Sequence, residues 1–246
     1  MRGDVLTPKQ LRFSPDGTQL AGILGWQLII IDVATGAIQY PVSSTYGYES
    51  VDWSPEGDRL IYVQFNWETW QYDPDSVGVR VLDLRTGVVS PPHLYRGNSL
   101  FGTFVRWSPD GERFALDEVG VRGERIVVYG LGDSTRLPLT QEEPLAVFDI
   151  LQWLSRTAKD PECLVVQQIG GPGGGPFFIY LDGHRERLER PIGPYDVFSR
   201  DGSYVVTCGF DPVDSAEVLY VRATPRASRP NDAPRQLTSW EGPVRR

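Results

Sequence analysis

Between Asn66 and Asp75 the chain holds two tryptophans, one tyrosine and three carboxylates: Trp67, Trp70 and Tyr72 beside Glu68, Asp73 and Asp75. Indole faces stack on sugar rings and attract guanidinium or ammonium groups, and nearby carboxylates reinforce the hold on a cation. The segment therefore reads as a ligand- or partner-binding loop for a sugar, or for a cationic or aromatic side chain. Tyr46, Tyr48, Tyr95 and Phe101 stand in neighbouring segments and can border it. The competing reading is that these aromatics fold inward and cap the strands beneath them.

A second constellation is charged. Arg12, Asp52, Arg106 and Gln152 each stand directly before an aromatic residue, Phe13, Trp53, Trp107 and Trp153. On a strand, such neighbours point to opposite faces. The four can line part of a central channel, with Arg12, Asp52 and Arg106 either pairing as a structural belt or holding an anionic ligand. Catalysis is poorly served. His93 and His184 are the only histidines, and no Gly-x-Ser-x-Gly elbow accompanies them. Asp52 with Asp117 or Glu118 leaves a glycosidase-type carboxylate pair open, and separation decides that chemistry. The expectation is no catalytic residue and no enzyme.

Cys163 and Cys208 are the only cysteines, read as buried thiols, and zinc-type spacing is absent, so no metal or cofactor is expected. Gly170-Gly171-Pro172-Gly173-Gly174-Gly175 lacks the Lys-Ser/Thr and helix start of a phosphate cradle and reads as a connecting loop.

The elements that position these residues come from a repeat. Phe13-Ser14-Pro15-Asp16-Gly17 returns as Trp53-Ser54-Pro55-Glu56-Gly57 and Trp107-Ser108-Pro109-Asp110-Gly111, with worn copies at Trp153-Leu154-Ser155 and Phe198-Ser199-Arg200-Asp201-Gly202. The leading aromatics are spaced by 40, 54, 46 and 45 residues. That period with strand-like flanks predicts an all-β propeller built from four-stranded antiparallel blades. Five blades are expected, over residues 11–42, 50–93, 104–139, 149–190 and 195–238 of a single domain spanning 1–246. The alternative is part of a propeller with six or more blades. Val5-Leu6-Thr7 resembles the tail of a fourth strand and Gly242 to Arg246 the start of a first one. A five-blade ring closed by its own ends is expected to be a monomer. Residues 144–158 also carry helical spacing, with Leu145, Phe148, Leu151 and Leu154 on one face, but the period favours a strand over 149–154.

Calling the strands of a blade a to d, the a–b and c–d turns share one face and the b–c and d–a loops the other. The first set is tight. The second is long and irregular and includes Asn66 to Gly78, so binding is expected there.

The aromatic-Ser-Pro-Asp-Gly turn, followed by apolar strands and an Asp-x-x-Thr-Gly turn at Asp32 and Asp83, resembles the WD-like repeats of the TolB family. Similar repeats build the propellers of prolyl-oligopeptidase-type peptidases. The resemblance covers most of the chain and implies a non-enzymatic scaffold presenting its aromatic, acidic loops to a protein or cell-envelope partner. It leaves two alternatives: the propeller portion of a peptidase whose hydrolase domain lies elsewhere, or a carbohydrate-binding or carbohydrate-active propeller.

A formal charge of -8 argues against nucleic acid, which wants a basic stripe. No apolar run approaches the ~20 residues of a membrane-spanning helix. Without an apolar stretch after Met1, the sequence as written predicts a cytoplasmic protein, or a periplasmic or extracellular one where a leader precedes it.

Overall fold

The computed structural model describes residues 9–42, 47–65, 78–91, 104–119, 122–133, 135–142, 144–157, 160–171, 173–188, 197–199, 202–211, 216–224 and 235–239. These residues form strands and turns only, in five successive antiparallel sheets. The fold is an all-β propeller of five blades.

Blade 1 comprises β1 Lys9–Phe13, β2 Gln19–Leu24, β3 Gln27–Asp32 and β4 Ile38–Gln39. Blade 2 comprises β5 Gly47–Trp53, β6 Arg59–Phe65 and β7 Gly78–Asp83. In blade 3, β8 Val105–Trp107, β9 Arg113–Val119, β10 Glu124–Gly130 and β11 Arg136–Pro138 pair in order. Blade 4 holds β12 Val147–Leu154, β13 Cys163–Ile169, β14 Gly175–Tyr180 and β15 Arg185–Arg187. Blade 5 holds β16 Val197–Phe198, β17 Tyr204–Asp211, β18 Ala216–Ala223 and β19 Arg235–Ser239. The ambiguous segment is thus a strand, β12. Its Phe148 and Ile150 alternate inward, and Leu145 falls outside it at 86% exposure.

The fourth strand of blade 2 is the one departure from the expected plan. Of the segment from Val88 to His93, a single bridge between Val89 and Leu82 is formed, and residues 92 and 93 lie outside the described residues.

The repeated turn is held by its serine. Ser14 Oγ accepts the amide of Gln19 at 3.0 Å, and Ser54, Ser108 and Ser199 do the same for Arg59, Arg113 and Tyr204 at 3.0, 2.9 and 3.0 Å. Each such hairpin closes one strand-to-strand connection. The Asp-x-x-Thr-Gly turn works similarly: Asp32 Oδ1 accepts the Thr35 amide at 2.7 Å and Asp83 Oδ1 that of Thr86 at 2.8 Å. These bonds hold both carboxyls below the usual carboxylate range.

The chain forms two compact units, Met1–Ile150 with Gln168–Gly173, and Leu151–Gln167 with Gly174–Arg246. In the first unit, the core lies between sheets. Ala21, Ile23, Leu28 and Ile30 of blade 1 meet Trp53, Leu60, Tyr62 and Leu82 of blade 2. The other face of blade 2, with Ile61, Val63 and Val79, meets Trp107, Phe114 and Leu116 of blade 3. In the second unit, Phe178 and Tyr180 of blade 4 meet Phe198 and Val205 of blade 5. Blades 2, 3 and 5 thus turn the face carrying the turn aromatic to the blade before them, and blades 1, 2 and 4 turn the opposite face to the blade after them. Cys163 is buried inside the last of these clusters, and the side chain of Cys208 lies outside the described residues.

Candidate functional site

Trp67, Glu68, Trp70, Tyr72, Asp73, Tyr46, Tyr95 and Phe101 lie outside the described residues. The structure describes the residues on either side of 66–77. β2 and β3 are joined by Gly25-Trp26, with Leu24 paired to Gln27. Both turn residues sit at positive φ, 55° and 67°, as a two-residue hairpin on a right-twisted ribbon requires. Glycine accepts that conformation freely, whereas tryptophan there costs about 1–2 kcal/mol. Trp26 is nevertheless 45% exposed. Its ring meets Phe65 edge-on at 5.7 Å, and its carbonyl accepts the Tyr48 amide at 3.0 Å. Phe65 is the last residue of β6, so the Trp26–Phe65 pair stands at the stem of the loop. Gly47 lies under the Phe65 ring, where a Cβ would collide.

Tyr48 belongs to the core. It is 2% exposed and packs edge-on against Tyr62 at 5.5 Å. For this residue the inward, capping arrangement holds. Trp26 is the residue that sequence reasoning missed. The available signal was a tryptophan inside a Gly-containing two-residue connection between apolar strands, a place where a large aromatic has no packing reason to be.

The charges before the turn aromatics have structural assignments. Asp52 Oδ2 accepts the backbone amide of Trp107, in the next blade, at 2.8 Å. Gln152 makes the corresponding bond in the second unit: its Oε1 accepts the Phe198 amide at 3.3 Å. An acceptor at this position ties one blade to the next. Arg106 is only 2% exposed. Its Nη1 donates to the Val105 carbonyl at 2.7 Å and its Nη2 to Gln10 Oε1 at 3.3 Å. Burial pulls its pKa down to about 9, and Arg12 pushes the same way against Asp52, Asp117 and Asp149. It remains a cation at neutral pH. Burial also lowers the Arg12 pKa, with Asp52 opposing.

Asp117 is fully buried. Its Oδ1 accepts the Phe104 amide at 2.5 Å, and its Oδ2 has no hydrogen-bond partner among the described residues. Burial raises its pKa well above the carboxylate range, and Glu124 and Asp149 add to the rise. Glu124 is raised by burial while accepting the Phe148 amide at 2.7 Å. Asp149 is raised by burial against the pull of Arg106. Glu118 points to the opposite face of β9 and pairs with Arg125 at 2.8 Å and Arg136 at 2.5 Å. Asp52, Asp117 and Glu118 are thus occupied by a backbone amide, a backbone amide and two arginines.

His184 stacks on Tyr180 at 5.7 Å, and His93 lies outside the described residues. Among the described residues no group of three His, Cys, Asp or Glu could hold a metal ion. The glycine run serves the backbone: Gly170, Gly171 and Gly173 take φ of 70°, 68° and 86°, and a Cβ at Gly170 would meet the Leu145 carbonyl at 2.6 Å.

The sheets and their turns define a class, the β-propellers. No protein-family model matches this sequence, and no curated protein matches it. Solved structures share the fold. A putative TolB from Agrobacterium tumefaciens matches with a TM-score of 0.64 at 13% identity, over 95% of this chain and 81% of that one. TolB from Acinetobacter baumannii matches with a TM-score of 0.54 at 15% identity, over 89% of this chain and 52% of that one. A prolyl endopeptidase matches with a TM-score of 0.56 at 16% identity, over 97% of this chain and 36% of that one. The chain therefore corresponds to about half of the Acinetobacter TolB and about a third of the peptidase. At these identities the likeness is one of fold.

Proposed function

We propose that this chain is a non-enzymatic binding scaffold, and that the face carrying its b–c and d–a loops receives a protein or cell-envelope partner. The observation that carries the reading is Trp26: an exposed indole held at unfavourable φ, edge-on to Phe65, at the stem of the loop bearing Trp67 and Trp70. Backbone strain that displays an aromatic side chain to solvent is characteristic of contact surfaces. The likeness to TolB structures supports a propeller that presents loops. The structural roles of Asp52 and Glu118 support a scaffold over a glycosidase.

The test is a binding comparison on immobilised protein against fractionated cell-envelope proteins and a glycan array. A defined protein ligand retained by the wild type and lost in Trp26→Ala and in Trp67→Ala/Trp70→Ala, with melting temperatures unchanged, is the expected result. Retention that is indifferent to all three tryptophans would overturn the assignment of the face. A glycan signal lost on the same substitutions would move the reading to carbohydrate binding.

A further inference from the structure

The negative charge of this chain is not spread evenly. Between Arg12 and Arg80 stand nine acidic residues and one basic one, Arg59, a formal charge of -8 that equals the charge of the whole chain. Arg59 is already engaged, over the Trp107 ring at 5.0 Å and beside Asp58 at 3.6 Å. The remaining sequence is neutral overall, so the field a charged partner meets arises from the stretch that builds blades 1 and 2.

Trp26 belongs to that stretch. Its ring is set at right angles to Phe65, which is 7% exposed and fixed in the core, and its carbonyl ties the Gly25-Trp26 turn to β5 through the Tyr48 amide. Glu49 follows Tyr48 at a bulge, where the register of β5 with β6 shifts. Bulges are common beside binding sites because they re-aim side chains. All of these residues lie in the first compact unit. An indole anchored in this way has little conformational entropy left to lose on binding.

An aromatic face among carboxylates selects a cation. The ring quadrupole attracts guanidinium and ammonium groups. The negative field gathers cations and speeds their arrival, which a neutral or anionic ligand does not share. The molecule makes the same contact internally, with Arg136 over Tyr129 at 6.0 Å. We propose that Trp26 receives an arginine or lysine side chain from a basic segment of the protein partner. This rests on the reading of the loop face given above and adds the chemistry of what docks there. The cation lies on the indole, and the acidic residues of blades 1 and 2, Glu49 among them, steer the segment to it.

Fluorescence anisotropy on the full chain tests this with three labelled peptides of equal length: arginines spaced by Gly and Ser, the same with Tyr for Arg, and the same with Glu for Arg. The wild type should bind the arginine peptide, less tightly as salt rises. Trp26→Leu keeps the charge and the apolar bulk but loses the π face, and should weaken that binding roughly tenfold. Trp26→Gly accepts the same φ without strain, which guards against a variant that fails to fold, and should weaken it equally. Glu49→Gln should reduce the salt dependence while the Trp26 requirement stays. An arginine peptide bound as well by Trp26→Leu and Trp26→Gly as by the wild type is held by diffuse charge alone and overturns the proposal, as does a preference for the tyrosine peptide. The assignment of the face fails separately, through an envelope ligand retained by all the tryptophan variants.

Discussion

Removing the Asp52 carboxylate should loosen the contact between blades 2 and 3 without touching the hydrophobic core. In Asp52→Ala the Trp107 amide loses its acceptor at 2.8 Å, in a part-buried place. An orphaned buried donor costs about 1–3 kcal/mol, and bonds to charged acceptors lie at the upper end. Asp52 is also one of the anions that favour the charged form of buried Arg106, which moves the expected loss to about 2 kcal/mol or slightly more. For a domain of this size that corresponds to a fall in melting temperature of roughly 4–8 °C. Asp52→Asn keeps an acceptor and should lose about half as much, since Gln152 performs the same task with an amide. Calorimetry gives the stability, and hydrogen exchange at the Trp107 amide gives the mechanism. Exchange should quicken in Asp52→Ala and stay close to wild type in Asp52→Asn. An alanine variant that melts with the wild type, or protects Trp107 equally well, would refute the idea that this position ties blades together.

Two further perturbations follow from local geometry. Gly57 and Gly111 close the repeated turn at φ of 74° and 77°, so valine at either should cost about 1–2 kcal/mol in urea denaturation. The loss should be larger at Gly57, whose Cβ would stand 3.2 Å from Pro15 Cδ; equal stability to wild type would show the turn to be misassigned. Asp117 has a pKa raised in the folded state, so its contribution is fully present below the unfolded carboxylate pKa of about 3.9 and is lost as pH rises through the folded value. Asp117→Asn cannot lose a proton and should gain on the wild type as pH rises above the unfolded carboxylate pKa of about 3.9, levelling off once the folded carboxyl itself ionises. Parallel stability curves for the two would rule out a buried, protonated Asp117.

The turns were legible because their chemistry is local. Ser, Pro, Asp and Gly each satisfy one requirement of the same hairpin, and the serine hydroxyl reaches an amide only five residues away, as from Ser14 to Gln19. β12 was legible through the period of the repeats rather than its own pattern, since Phe148, Leu151 and Leu154 suit a helix and a strand equally. Asp52 and Arg106 were legible as an inward-facing pair of positions, but the partner of Asp52 is the amide of Trp107, 55 residues away. Only the sheet-to-sheet distance makes that bond. Tyr48 could not be placed because a tyrosine near a loop has the same sequence neighbourhood whether it caps a core or faces solvent. Trp26 went unnoticed because its turn is so short that it leaves almost no pattern to read.

Among the described residues blade 2 has three strands, and Ser90 lies along the edge of the third. Ser90 donates its amide to the Val81 carbonyl at 2.8 Å and accepts the Val81 amide on its hydroxyl at 2.9 Å, while Arg80 holds the Ser90 carbonyl at 3.1 Å. Pro91 follows and carries no N–H to offer a passing strand. An open β edge invites other chains to add to it and grow. Here a serine and a proline blunt the edge at Val81, so a chain passing along β7 finds that position already taken.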